Sequence, residues 1–551
     1  MTSITMTGGV SSISFVVMMV IFIAATIGLG IYGYRNTKDN QGFLLGRHKS
    51  NSVIIALSYG ATFLSASAII GFGGQAAIHG MGLIWLCFLN LFLGLFVAFV
   101  VFGTRVRRAG KRLGASTFAD LLGKLYGSKS IRGFTAVIIV LMMPIYCAAV
   151  LKGGVNSLAV ITGLTEYYDV ILIVLALVVG VYVVYGGIVA VMYNDALQAT
   201  IMFVGMLTIL IVTYVTLGGV GEANSDLVGL WDTAVSDGMA TKTLPGFNGW
   251  TDSASFGTPE WLTLVSTFIL GVGIGALTQP QLVVRFMSAK DDRMLNRSLI
   301  IGSIFILVIV GAAYTVGPLT NQYFFANYGG IAADVALGTD FIIPTFVVDV
   351  FSGIQFGDIF ISLFLLSLIC ASISTISALM HTIGSAGGHD LFSLLKNRKE
   401  GTFKDIQSLR VNRICTAIVM VLVVIYCYLM PSDIIAKATS LFMGMTAAAL
   451  LPAFAHGLYS KNPDKRAAIL SIVTGTGTYL LWALFINKSS SVFLPICKWI
   501  TGNAVLFSGN IQYVDALLVA LPVSAIVMTS FLILRKVRSK SDSGDETNIA
   551  D

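Results

Sequence analysis

The chain is divided into thirteen stretches of predominantly apolar residues, each near the roughly 20 residues that an α-helix needs to cross a bilayer. They run approximately over 12–34, 51–78, 81–103, 133–160, 168–187, 192–218, 260–284, 298–320, 355–383, 411–430, 434–458, 465–486 and 512–534. Lipid offers backbone amides no partner, so such segments satisfy their hydrogen bonds internally, and an all-α polytopic membrane protein follows. Only 11% of the 551 residues are charged, against ~25% in a soluble domain, which excludes a string of water-soluble domains. The first stretch follows an uncharged N-terminus and is too long for a secretory signal, so it reads as a retained helix. The segment 341–351 (FIIPTFVVDVF) is too short to cross and is expected at the outer interface.

The formal charge of +7 invites a nucleic-acid reading, but its distribution argues otherwise. Of 34 Lys and Arg, 29 fall in alternate connections: 35–49, 104–132, 285–297, 396–413, 461–466 and 535–540. By the positive-inside rule these connections are cytoplasmic, which places the N-terminus outside and the C-terminus inside a multi-pass plasma-membrane protein. No nucleic acid is needed to explain the charge, and no obligatory protein partner is evident. The loop 219–259, rich in Gly, Asp, Ser and Thr, is then extracellular and is expected over the outer mouth, whereas the tail 535–551 reads as a disordered cytoplasmic end. The six cysteines are scattered and form no CxxC or Cys/His cluster, so neither zinc nor a disulfide framework is indicated.

Two spans are interrupted by small and polar residues. The second carries Gly60, Thr62, Ser65 and Ser67 near its middle, then Gly71, Gly73 and Gly74. The seventh carries Gly271, Gly273 and Gly275, then Thr278, Gln279 and Pro280. Small residues also serve ordinary helix packing. The two broken spans lie five apart, however, as expected of paired binding-site helices in two inverted repeats. The ninth span concentrates Ser372, Ser374, Thr375 and Ser377 within six residues. Such hydroxyls commonly bond back to their own helix. They also supply the oxygen ligands that a hard cation such as Na⁺ requires, and a break in the second span frees carbonyls near Ala61 and Leu64 to complete a site.

With these features assembled, the sequence resembles the sodium:solute symporter family. The resemblance covers nearly the whole chain and rests on five motifs in order. These are GFLLGRH (Gly42 to His48), ALSYGATFLSASAIIG (Ala56 to Gly71), YGGIVAVMYNDALQATIM (Tyr185 to Met202), GALTQPQLVVRFM (Gly275 to Met287) and ASISTISALMHTIGSAGGHDLF (Ala371 to Phe392). It implies a leucine-transporter-type fold with two inverted five-helix repeats, 51–218 and 260–458. These are flanked by an extra helix within 1–34 and two C-terminal helices over 465–534. It also implies alternating access with Na⁺ as co-transported ion, held by Ala61, Leu64, Ala371, Ser374 and Thr375. Asp195 and Ser377 fall on a possible second sodium path, although an Asp at a helix start is otherwise a common cap. Phe63 stands where proline-transporting relatives carry Asp, and sugar-transporting relatives have a polar residue there. Val272 and Ala276 stand where the proline transporters carry aromatics.

Lys152, inside the fourth span, is the charge that topology leaves unexplained. It attracts an anionic solute, senses ions by releasing its proton, or snorkels to the outer surface. Lys437 reads as a surface pair with Asp433, four residues earlier. Arg285 reads as an anchor at the inner interface. Phe63, Ser65, Trp85, Asn90, Tyr146, Thr278 and Gln279 complete the candidate substrate pocket, although residues of these types more often serve ordinary packing. The expected activity is Na⁺-coupled symport of a small organic solute, a monocarboxylate ahead of proline, pantothenate or sugar. The alternatives are a proton-coupled or uncoupled carrier on the same fold, or a solute sensor. HExxH, GxSxG and GxxxxGK[ST] motifs are all absent, so neither an intramembrane enzyme nor ATP-driven transport is indicated.

Overall fold

The computed structural model describes residues 13–46, 51–239, 243–336, 338–396, 405–430, 435–493 and 495–545, which are helical and contain no β-strand. Among them, eleven helical stretches are long and apolar enough to cross a membrane. Thr165–Thr216 holds 52 residues, enough at 1.5 Å per residue for two passes. Ser67–Leu113 holds the third span together with the second half of the second, whose first half is the shorter helix Ser52–Phe63. That accounts for the thirteen spans expected. The second pass of Thr165–Thr216 begins at Gly187, whose backbone (φ 59°, ψ −155°) lies where only glycine sits without strain. A Cβ there would also come 2.8 Å from the Phe43 ring.

Burial grades outward from the ninth span. In Gly357–Leu395, 83% of the most apolar window is buried inside the protein, against 17% in Ile13–Asn36 and 22% in Ala516–Val537. A helix buried on every face reads as uniformly apolar and small, which is why Ser372, Ser374, Thr375 and Ser377 can all point into protein.

The segment around 341–351 forms a short helix, Ile342–Ser352, that packs against the rest of the protein, with Ile342, Phe346 and Val347 fully buried. The chain leading into it crosses the second span so closely that a Cβ on Gly74 would overlap the Thr339 carbonyl. Two placements differ from expectation. The expected disordered tail is helical as far as Asp545, because the last span continues without a break. Arg285 is fully buried, which excludes an interfacial anchor. His48, Lys242 and Asp433 lie outside the described residues, so the Lys437–Asp433 pair does too.

The 219–259 segment folds as a helix, Val220–Ser236, followed by a loop that buries Trp250 over the end of the second span. The indole Nε1 donates to the Ala77 carbonyl at 2.8 Å, and Met81 N–H donates to the Trp250 carbonyl at 2.6 Å. On the opposite, basic face a short helix, Phe118–Leu125, is tied to the end of the ninth span. Arg132 Nε donates to Asp390 Oδ1 at 2.7 Å, Lys124 Nζ to Asp120 Oδ2 at 2.9 Å, and Thr117 Oγ1 to Asp390 Oδ2 at 2.7 Å. Asp120, His389 and Asp390 bring three ligand-type atoms within 4.8 Å of one another, but the two cations already balance the carboxylates, which makes this an ion-pair network rather than a metal site.

Candidate functional site

The second span opens as Ser52–Phe63, its first turn capped by Asn51 Oδ1 accepting from Ile54 N–H at 2.9 Å. It stops at Leu64 (φ −95°, ψ 80°), where the chain leaves helical space. Helical structure resumes at Ser67, and Ser65 Oγ accepts from the Ser67 N–H at 3.0 Å, capping the second half. The seventh span breaks for a different reason. Pro280 forbids a helical residue before it and lacks an N–H, so Gln279 is extended (φ −69°, ψ 116°) and Pro280 becomes the first residue of the next helix. The two-proton amide of Gln279 bridges the gap, donating to the Gly275 carbonyl at 3.0 Å and to Thr446 Oγ1 at 2.7 Å.

The ninth span packs its hydroxyls against the first break. Ser374 Oγ lies 3.0 Å from the Ala61 carbonyl oxygen and 3.1 Å from that of Ala371. Thr375 Oγ1 lies 3.4 Å from the Thr62 carbonyl, one residue from Ala61, rather than from Leu64. Ser377 Oγ donates to Ser374 O at 2.9 Å. Ala61, Leu64, Ala371, Ser374 and Thr375 are all essentially inaccessible to solvent. The donor set is oxygen only and carries no charge. That suits a hard monovalent cation, which takes carbonyl and hydroxyl oxygens and needs no nitrogen or sulfur ligand.

One turn further towards the basic face lies an ion pair that sequence reasoning missed. Arg285 Nη2 lies 3.0 Å from Asp195 Oδ2 and 2.7 Å from Thr62 Oγ1, while its Nη1 donates to Gln281 O at 2.5 Å. Ser58 Oγ donates to the same Asp195 oxygen at 2.7 Å. Asp195 is thus no helix cap but the centre of a buried network joining the second, sixth and seventh spans. The available signal was Arg285 itself, set within the apolar run LVVRFM. Its guanidinium needs a buried acid, and few acids occur in the spans. Asp195 Oδ1, both amide atoms of Gln198 and the Tyr182 hydroxyl are buried without hydrogen-bond partners.

The pocket candidates separate into two groups. Tyr146 O–H lies 3.2 Å from Ser65 Oγ and its ring stacks on Phe442, which places both residues at the first break. Phe63 covers Gly94, where a Cβ would come 2.9 Å from the ring. Thr278 and Gln279 are fully buried at the second break, and Thr278 Oγ1 and Asn90 Oδ1 have no partner. Trp85 does not join them. It is 67% exposed and stands beside Phe88 and Trp261 in a surface groove. Nor does Lys152, whose Nζ donates to the carbonyls of Cys427 (3.2 Å) and Met430 (2.5 Å). It caps the end of the Asp405–Leu429 helix, where orphan carbonyls and the helix dipole favour a cation.

Comparison with known proteins agrees with this architecture. The sodium/pantothenate symporter of Haemophilus influenzae is 25% identical over 473 residues, covering 85% of this chain and 90% of that one. The osmoregulated proline transporter of Bacillus subtilis is 24% identical over 486 residues (88% and 91%), and sodium/proline symporter 2 of Staphylococcus saprophyticus 25% over 480 (86% and 87%). A solved structure of a Na⁺-coupled sialic acid symporter superposes with a TM-score of 0.72 at 18% identity, covering 95% of this chain and 98% of that one, which shows the leucine-transporter-type fold. The model of the sodium:solute symporter family matches residues 43–475. This chain belongs to that family, whose members are transporters rather than enzymes and carry Na⁺ with their solute.

Proposed function

We propose that Na⁺ binds among Ala61, Leu64, Ala371, Ser374 and Thr375, bridging the second and ninth spans, and that this drives uptake of a small organic solute held between the two helix breaks. The observation that carries this reading is the approach of Ser374 Oγ to the Ala61 carbonyl, across two spans and within 3.0 Å. Each hydroxyl now donates to a carbonyl. A cation at the same place would turn both oxygens towards itself and join the two spans more tightly. Phe63, Ser65 and Tyr146 at one break, with Thr278 and Gln279 at the other, line the solute's place. The unpartnered oxygens of Asp195 and Gln198 support a second cation step towards the basic face, with Ser377 on the way.

With the N-terminus outside and the basic loops in the cytoplasm, Na⁺ release is downhill. A potential of ~100 mV supplies about 2.3 kcal/mol per charge, and a tenfold gradient adds about 1.4 kcal/mol. One ion therefore supports accumulation of a neutral solute by roughly several hundredfold. Among solutes a monocarboxylate leads, since the pantothenate and proline named for two relatives each carry one carboxylate. A thermal-shift screen with pyruvate, pantothenate, proline and glucose, run in Na⁺ and in choline, tests the reading. Stabilisation by a solute only in Na⁺ is expected, followed by Na⁺-dependent uptake into proteoliposomes. Uptake undiminished in choline would replace it with the proton-coupled or uncoupled carrier, and binding without uptake would leave a sensor.

A further inference from the structure

A cavity of about 550 Å³ opens on the face that carries the 219–259 segment. Its walls come from the second span (Gln75, His79) and the π-helical start of the seventh (Thr267, Phe268), so it leads towards both broken helices. That volume lies within the range of small-molecule sites. Two lysines line it: Lys437, half-buried near the start of the Ile435–Tyr459 helix, and Lys488, on a loop pinned by its own N–H to the Gln512 carbonyl at 2.9 Å. No Asp or Glu side chain lines the cavity among the described residues. The nearby Glu260 is engaged by His79 Nδ1 at 2.6 Å and is almost fully buried. Thr339 Oγ1, also in the wall, is buried and lacks a hydrogen-bond partner.

We infer that this vestibule is an anion-capture site, in which Lys437 and Lys488 hold the carboxylate of an incoming organic anion before it reaches the helix breaks. Two ammonium groups on low-dielectric walls, with no Asp or Glu among the described lining residues, concentrate anions and raise their on-rate by ~10-fold or more. Lys152 caps a helix and does not line this cavity. The neutral hydrogen-bonding groups of Gln75, Thr267 and Thr339 orient the carboxylate without binding it so tightly that it cannot move on. The inference deepens the symport reading by assigning its solute class to two named residues, and it rests on that reading for the direction of travel.

The charge is measurable without knowing the solute. A Ser489→Cys variant places one reactive thiol in the cavity wall, with the unsubstituted protein as the background control. Modification rates are compared for sulfonatoethyl and trimethylammonioethyl methanethiosulfonate, reagents of similar reach and opposite charge. The anionic reagent is expected to react about tenfold faster or more. The preference should fall towards unity in Lys437→Gln/Lys488→Gln, return in Lys437→Arg/Lys488→Arg, and shrink in high salt. Pyruvate, but not the neutral pyruvamide, should slow the labelling. A rate ratio near one, a preference that survives the double Gln variant, or equal protection by acid and amide would each overturn the inference. Sodium-dependent uptake, assayed separately on the unmodified protein, reports on the symport reading alone, so the two fail independently.

Discussion

Arg285 and Asp195, 90 residues apart, meet at 3.0 Å with both side chains fully buried. The pair ties the Pro280–Ser288 half of the broken seventh span to the sixth, and through Ser58 and Thr62 it holds the Ser52–Phe63 half of the second. A buried charge left without its partner costs about 3–5 kcal/mol, so Arg285→Met or Asp195→Asn alone should destabilise by roughly that amount. The double variant Asp195→Asn/Arg285→Met should recover much of the loss. Urea unfolding in detergent, followed by tryptophan fluorescence, measures the cycle. Additive losses would mean that the two groups do not depend on each other.

Removing a hydroxyl of the proposed sodium site should weaken the ion and little else. Ser374→Ala and Thr375→Val are each expected to raise the Na⁺ concentration for half-maximal uptake about tenfold, equivalent to ~1.4 kcal/mol. Ser372→Ala is the control, because Ser372 Oγ donates to its own helix at Leu368 O. An unchanged sodium dependence in Thr375→Val and Ser374→Ala would remove these residues from the site.

At Gly74 a methyl group would meet the Thr339 backbone, which cannot swing aside as a side-chain tip can. Gly74→Ala should therefore cost about 1–3 kcal/mol and lower the thermal midpoint. Gly311→Ala, in a helix where a Cβ meets nothing within 4 Å, should be neutral or slightly stabilising. Equal midpoints for both variants would contradict the close crossing.

Lys152→Gln tests a structural role against a transport role. Losing two charge-assisted hydrogen bonds at a helix end should cost about 1.5–3 kcal/mol. The apparent affinities for Na⁺ and solute should be unchanged. A selective rise in the solute KM, with normal thermal stability, would return Lys152 to the transport path.

Asp120 gives a pH dependence whose sign is set by geometry. Burial raises its carboxyl, but the His389 imidazole 3.8 Å away and the charges of Arg132 and Lys124 outweigh burial and hold it well below the usual carboxylate range. The folded state therefore binds this proton less readily than the unfolded chain. The stabilisation is complete above the unfolded value of about 3.9 and is lost as pH falls through the lower folded value. Asp120→Asn should lower stability at pH 7, and the difference from the parent should narrow below about pH 3.9. A difference that grows with acidity would reverse the assignment.

The broken spans were legible because their causes are local. Pro280, which follows the Gly271–Gly275 run, ends one helix and starts another, whereas Pro144, Pro318, Pro452 and Pro522 lie inside continuous helices. The Gly and Ser content of the second span weakens its hold on helical geometry. The hydroxyl run of the ninth span was legible as chemistry, though not which hydroxyls turn inward. Since every face of that helix is covered, periodicity could not separate Ser374, which reaches Ala61, from Ser372, which bonds back within its own helix. Lys152 and Arg285 were both read by depth alone, and depth does not say what stands opposite. One proved to meet a helix end and the other an aspartate.

By itself the sequence determined the class of fold, the number of passes and the positions of the helix breaks, since hydropathy, charge asymmetry and proline act along the chain. Only the tertiary structure decided that Arg285 meets Asp195, that Thr375 faces Thr62, and that Trp85 stands outside the pocket. Those outcomes depend on the rotation and crossing of helices far apart in sequence. In a chain whose spans are apolar on nearly every side, packing chooses that rotation, and no pattern along the chain records it.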